Sequence, residues 1–292
     1  GMFHVQKRFV NHRNSKREII SSKDMKMLDR RSFQCVLPVA LLSVVLGIIG
    51  CSKEEPVDAQ TSATQSGQDL LDQIRTKGKI VIATEGTWSP WTFHDQSGKL
   101  TGYDIEVGRL IAQRLGVEPQ FVEGKWDGLL AGISAGRYDI MINGVDMTPE
   151  REKAYRFTEP YAYNRTVVIV SDQNTEIKSM QDLKGKQTAN TISSTYAEIA
   201  EKYGAKVDGV DDLNQTFELL LSGRIDATLN AEVVYYDYKK VHPQAAVKIA
   251  AIADETTSVG IPLKKEGTEK LQAELNKILN DLRASGELSK LS

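Results

Sequence analysis

The chain writes one short unit twice. Residues 129–143 (LLAGISAGRYDIMIN) return in shortened form as residues 219–230 (LLLSGRIDATLN). Each copy reads as the end of an apolar helix, a Gly that caps it, an Arg, an Asp entering a short apolar strand, and an Asn where the strand stops. A helix-to-strand unit used twice predicts two similar α/β lobes. In open α/β sheets ligands bind outside the carboxyl ends of the strands, so Asn143 and Asn230 mark two strand ends that could face one cleft. A Gly-Arg step before an apolar run is also a common helix-to-strand junction, and taken alone it leaves duplication and coincidence both open.

The 292 residues suffice for two domains once an N-terminal segment is set aside. A basic stretch ending in Arg30 and Arg31 precedes an apolar run over residues 36–49, followed by Gly50 and Cys51. The run is shorter than the roughly 20 apolar residues needed to span a bilayer and contains Pro38. It resembles a lipoprotein signal over residues 1–50, which implies export, lipidation of Cys51, and anchoring to the outer face of the cytoplasmic membrane. Residues 51–68 are polar and short of large apolar side chains, and read as a flexible tether.

Nine of the 37 Lys and Arg but three of the 39 Asp and Glu lie in residues 1–50, so the remainder is mildly acidic. That balance does not suggest nucleic acid, which would want a basic stripe interleaved with aromatics. The two cysteines are Cys35, inside the signal, and Cys51, so the folded part is expected to hold without a disulfide. No cofactor or metal is expected, and the protein reads as a monomer.

Periodicity places a strand at 79–84, helices at 104–115 and 126–135, and a strand at 139–142. The β-branched run at 166–170 reads as a crossing into a second lobe, with a helix at 196–203 and a strand around 205–207. Residues 258–262 read as the return crossing, and the helix at 266–284 as packing back on the first lobe. The organisation expected is therefore a discontinuous lobe 1, residues 69–163 and 259–292, around lobe 2, residues 164–258. The charged C-terminus from Arg283 onward reads as a solvated helix end.

Residues 102–112 (GYDIEVGRLIA), 143–151 (NGVDMTPER) and 155–161 (YRFTEPY) resemble the signature of bacterial extracellular solute-binding proteins of the polar-amino-acid family. The likeness runs in order from about residue 79 to 288. Residues 84–91 (TEGTWSPW), 126–127 and 194–198 (STYAE) are most similar to its cystine-binding branch. The resemblance implies an α/β, type II periplasmic-binding-protein fold, with two lobes, two crossings and a ligand cleft between them. It also implies a free amino acid as ligand and the permease of an ABC importer as partner.

A binder of free amino acids must satisfy a carboxylate, an ammonium and a side chain after removing water. Arg151 alone reads either as a surface ion pair with Glu150 or Glu159 or as a planar fork for a carboxylate; the resemblance implies the fork, aided by Ser194 and Thr195. Those two precede a helix, whose bare N–H groups favour an anion, though capping alone would also explain them. Many relatives carry an Asp for the ammonium at the position of Ala231. This chain has none there, and the counter-charge is expected instead from Asp146, with the Gly144 carbonyl nearby and Glu232 as a weaker alternative; a turn or cap role for Asp146 stays open. The resemblance implies that Trp88 and Trp126 bracket the ligand side chain and that Glu85 meets its far end, which suits cystine, Lys or Arg. Asn143 and Asn230 complete the expected site. No catalytic residue is expected: the chain has neither H-E-x-x-H nor a P-loop. The alternative reading is an enzyme on the same fold, such as a cyclohexadienyl dehydratase, with Glu85 or Glu232 as its acid.

Overall fold

The computed structural model describes residues 67–291. The expected signal, Cys51 and most of the tether lie outside the described residues.

Helix α1 (Leu70–Lys77) starts at Asp69, whose carboxylate accepts the Leu71 N–H at 2.9 Å, and stops at Gly78 in the left-handed conformation. Strand β1 (Lys79–Thr84), the small hairpin β2 (Phe93–His94) and β3 (Leu100–Thr101), helix α2 (Tyr103–Leu115), β4 (Glu118–Glu123), helix α3 (Trp126–Ser134) and β5 (Ile140–Met141) follow. The sheet order is β4-β1-β5, all parallel, with Lys79 opposite Glu118 and Ile82 opposite Ile140. Parallel strands joined by helices bury both faces, which is why β1 reads Ile80, Val81, Ile82, Ala83 without a polar break. Helix α4 (Pro149–Ala154) and β6 (Arg156–Phe157) end this stretch.

Strand β7 (Ala162–Ser171) then leads into the second lobe. After a 3₁₀ turn come β8 (Gln187–Thr191), α5 (Thr195–Lys202), β9 (Lys206–Val210), α6 (Leu213–Leu221), β10 (Thr228–Ala231) and α7 (Glu232–Val241). Strands β8 and β9 are parallel, while β10 lies antiparallel to β7. The chain returns along β11 (Val247–Val259), antiparallel to β7 from Val247 opposite Ser171 to Val259 opposite Ala162. Two paired strands therefore carry the connection between lobes. Strand β12 (Pro262–Leu263) pairs with β6, and α8 (Glu269–Ala284) lies against α1 and α2 with Leu271, Leu275, Ile278 and Leu282 buried. Each such side chain contributes about 1.5–3 kcal/mol on burial.

The repeated unit is the same object in both lobes. Gly136 and Gly223 end α3 and α6 with φ of 73° and 74°. The Arg137 and Arg224 N–H groups reach back to the Gly132 and Leu219 carbonyls, at 2.9 and 3.0 Å. Asp139 accepts the Val81 N–H at 2.7 Å, and Asp226 accepts the Gln187 N–H at 2.8 Å. Each Asp side chain thus ties the entry of its own strand to a backbone N–H of the neighbouring strand, and this is why an Asp enters the strand in both copies.

Two expectations are corrected. The crossing read from 166–170 begins earlier, at Ala162, because backbone pairing with β11 continues past the β-branched run. The end of the chain is not simply solvated: α9 (Glu287–Leu291) buries Leu288, and Glu287 bonds Arg114 of α2 at 2.6 Å.

Candidate ligand-binding cleft

Nine of the ten residues expected at the site line a single cavity between the lobes: Glu85, Trp88, Trp126, Gly144, Asp146 and Arg151 from one side, Ser194, Thr195 and Asn230 from the other. Asn143 stands behind that wall. It is wholly buried, its amide oxygen accepts the Glu85 N–H at 2.7 Å and the Thr84 hydroxyl at 3.1 Å, and its amide nitrogen donates to Glu85 Oε2 at 2.6 Å. The strand-end Asn of the first repeat therefore aims Glu85. Its counterpart Asn230 has diverged: its amide oxygen accepts the Ala231 N–H and, across the cleft, the Trp88 indole N–H at 3.1 Å.

Arg151 sits in the only turn and a half of α4, capped by the Thr148 hydroxyl, and is buried. The guanidinium lies 5.1 Å over the Trp126 ring, with Nη1 donating to the Asp146 carbonyl at 2.9 Å and Nη2 to the Ser193 carbonyl at 3.1 Å. Neither hydrogen bond is to a carboxylate. Burial pulls its pKa below the usual arginine value, opposed by the charge of Asp146. The surface ion pair with Glu150 or Glu159 is not formed; Glu150 pairs with Lys153.

Asp146 lies at the far side of the same wall, 3% exposed. Its Oδ2 accepts the Thr195 hydroxyl of the second lobe at 2.6 Å, and Asn164 of β7 approaches Oδ1 at 3.5 Å. Burial raises its pKa, while Thr195, Arg151 and Asn164 act against the rise. Ser194 caps α5 by accepting the Ala197 N–H at 3.1 Å, and Ser193 just before it holds φ at 63°. That left-handed turn aims the Ser193 carbonyl at Arg151. Ala231 is fully buried and does not line the cavity, and Glu232 is held outside it in a two-pronged pair with Arg165, at 2.6 and 2.8 Å. The weaker alternative counter-charge is thereby removed.

Glu85 is pushed up to about 7 by burial, with the Asn143 bond opposing and Asp212 adding to the rise. Trp88 packs on Trp91 at 5.8 Å and meets Tyr196 edge-on at 6.4 Å. The Trp126 indole N–H is buried with no hydrogen-bond partner among the described residues.

Further residues support or line the cleft. Asp104, at the start of α2, accepts the Gly144 N–H at 2.6 Å and the Tyr161 hydroxyl at 2.8 Å, so it positions Gly144 from behind; burial lifts it to about 7. Tyr103 stacks on Tyr161 at 6.1 Å, a supporting place for both, whereas Tyr163 points to solvent at 67% exposure. Asn190, Thr191, Tyr196, Leu213 and Thr216 also line the cavity. Asn190 and Thr191 end a parallel strand as Thr84 ends β1, and that strand-end rule was the signal that could have found them.

The lobes are closed on each other, with Trp88, Asp146 and Arg151 of one bonded to Asn230, Thr195 and Ser193 of the other. A family model described as bacterial extracellular solute-binding proteins, family 3, matches residues 80–292. A probable amino-acid ABC transporter-binding protein of Haemophilus influenzae is 38% identical over 224 residues, spanning 77% of this chain and 87% of that protein. The L-cystine-binding protein TcyA of Bacillus subtilis is 37% identical over 236 residues, spanning 80% and 87%. Among solved structures, an ancestral arginine-binding protein bound to arginine is similar with a TM-score of 0.69 at 33% identity, covering 73% of this chain and 96% of that one.

Proposed function

Because this chain belongs to the bacterial extracellular solute-binding proteins, family 3, which take up amino acids for ABC permeases, we propose that its cleft holds a free amino acid with a cationic far end, L-cystine first. The family and its named relatives are binding proteins of transporters rather than enzymes, and the family is an exported one. The observation that carries the site assignment is a buried guanidinium whose hydrogen bonds go to carbonyls, facing the same cavity as a helix start and a buried carboxylate.

In this reading Arg151 receives the ligand carboxylate as a planar fork, with the Ser194 hydroxyl and the bare N–H groups opening α5, that of Thr195 among them, adding donors. Asp146 takes the ammonium, with the Gly144 carbonyl beside it. Trp88 and Trp126 flank the side chain, and the Trp126 N–H supplies a donor. Glu85, held by Asn143, meets the far ammonium of cystine, and a similar end on Lys or Arg fits the same chemistry. Relatives named for cystine and structures bound to arginine both agree with an acidic far end. Ligand bridging the two lobes favours the closed form only through its differential contacts there. The lobe boundaries assigned to this motion are residues 69–163 with 259–292, and 164–258. Anchoring through lipidated Cys51 and action as a monomer belong to the same proposal.

Calorimetry of residues 52–292 with L-cystine, L-arginine, L-lysine and L-glutamine tests it. Cystine is expected to bind tightest and glutamine weakest. Preference for glutamine over every cationic ligand would remove Glu85 from the role given to it.

A further inference from the structure

We propose that Ser89 and Asp237 form a latch that sets the affinity of the cleft without touching what the cleft holds. Ser89 lies in the loop that follows β1, and Asp237 lies in the middle of α7 on the other lobe. The Ser89 hydroxyl donates to Asp237 Oδ2 at 2.7 Å. Both residues are half-buried, and neither lines the ligand cavity; they face a separate groove beside it. A hydroxyl bonded to a carboxylate is charge-assisted and stronger than a neutral pair. No cation pairs with Asp237 among the described residues, so Ser89 is the group that meets its charge across the gap.

A second side-chain contact between the lobes outside the cavity behaves differently. Lys125 and Asp211 approach to 3.1 Å, but their side chains are 69% and 55% exposed, where solvent and salt leave such a pair worth little. The latch also adjoins Trp88, whose indole bonds Asn230 just before α7. Two consecutive residues of one loop therefore grip the opposite lobe at two points, just before α7 and in its middle. Separating the lobes breaks the Ser89–Asp237 bond whichever ligand is present.

Apparent affinity is the intrinsic affinity scaled by the population of the competent state. A bond made in the closed state and not made to ligand multiplies every affinity by one factor, whereas a residue touching ligand changes different ligands by different factors. That distinction makes the latch testable. Ser89→Ala and Asp237→Ala are expected to weaken L-cystine and L-arginine alike, by about tenfold, and the double substitution by no more than either single one. Asp237→Asn keeps an acceptor and should recover part of the loss. The thermal midpoint measured without ligand should stay at the wild-type value, since the bond lies between lobes rather than within one.

Spin labels supply a readout independent of ligand identity. The sequence beyond Cys51 has no cysteine, so Gln113→Cys on α2 and Glu201→Cys on α5, both exposed, place one label per lobe in a Cys51→Ser background. Ser89→Ala should lower the short-distance fraction at equal ligand saturation below full occupancy, and in ligand-free protein. Unchanged affinities, or factors that differ severalfold between the two amino acids, would overturn the latch. If wild type binds neither amino acid, the ligand assignment has failed; the ligand-free distances then decide the latch, which falls if Ser89→Ala leaves them as they were.

Discussion

Arg151 is held by the carbonyls of Asp146 and Ser193 and by the Trp126 face, an arrangement that fixes a cation while leaving its charge to be met by an anion. Arg151→Ala should cost about 3–5 kcal/mol of binding, or two to four decades, by stranding the ligand carboxylate in a buried site. Calorimetry on the folded variant measures this, and an affinity within threefold of wild type would exclude the role. Asp146→Ser should cost about 1.5–3 kcal/mol through loss of a charge-assisted bond; equal binding would leave Asp146 as a lobe-to-lobe tie through Thr195 alone. Glu85 gives a pH signature. Burial raises it to about 7, and a cationic ligand end stabilises its ionised form. Binding therefore releases a proton below that pH, and affinity for L-arginine should fall as pH drops from 8 to 6. Glu85→Gln should flatten the profile, as measured by titrations in buffers of different ionisation enthalpy.

At the level of elements, the turn after β5 sets the wall of the cleft. Gly144 holds φ at +52°, and a Cβ there would lie 2.6 Å from Trp88 Cζ3, so glycine is required both by conformation and by the approach of that ring. Gly144→Ala should displace Trp88, lower stability by about 1–3 kcal/mol and weaken every ligand that touches the indole. Denaturant unfolding and calorimetry together check this. The turn is held from behind by Asp104, whose carboxyl is raised to about 7 by burial against 3.8 in the unfolded chain. The folded state then binds more protons between those values. Its contribution to stability is greatest at low pH and is lost as pH rises toward 7, so Asp104→Asn should flatten the unfolding free energy across that window.

At the scale of the whole molecule, Cys51→Ser should abolish membrane association while leaving binding in solution intact, because a lipid adds anchoring and no cleft contact; fractionation of cells settles it. Much of the architecture was legible in the chain. The doubled unit foretold two lobes because helix cap, strand-entry Asp and strand length are local matters, and Asp139 and Asp226 do the same work in each copy. The family resemblance pointed to Arg151, Trp88 and Trp126, and all three line the cavity. Other features were not legible. That Asn143 serves Glu85 while Asn230 crosses to Trp88 depends on which strand lies beside each, and identical letters carry no such information. The pairing of Thr195 with Asp146 joins residues from opposite lobes, 49 positions apart, and the Ser89–Asp237 contact joins residues 148 apart. By itself the sequence determined the lobes, through local pattern, and the family, and through that family likeness it pointed to most of the groups that line the cavity. Only the tertiary structure decided which of those groups line the cavity, which meet each other and which tie the lobes together, because burial and partner are properties of packing between elements distant in the chain.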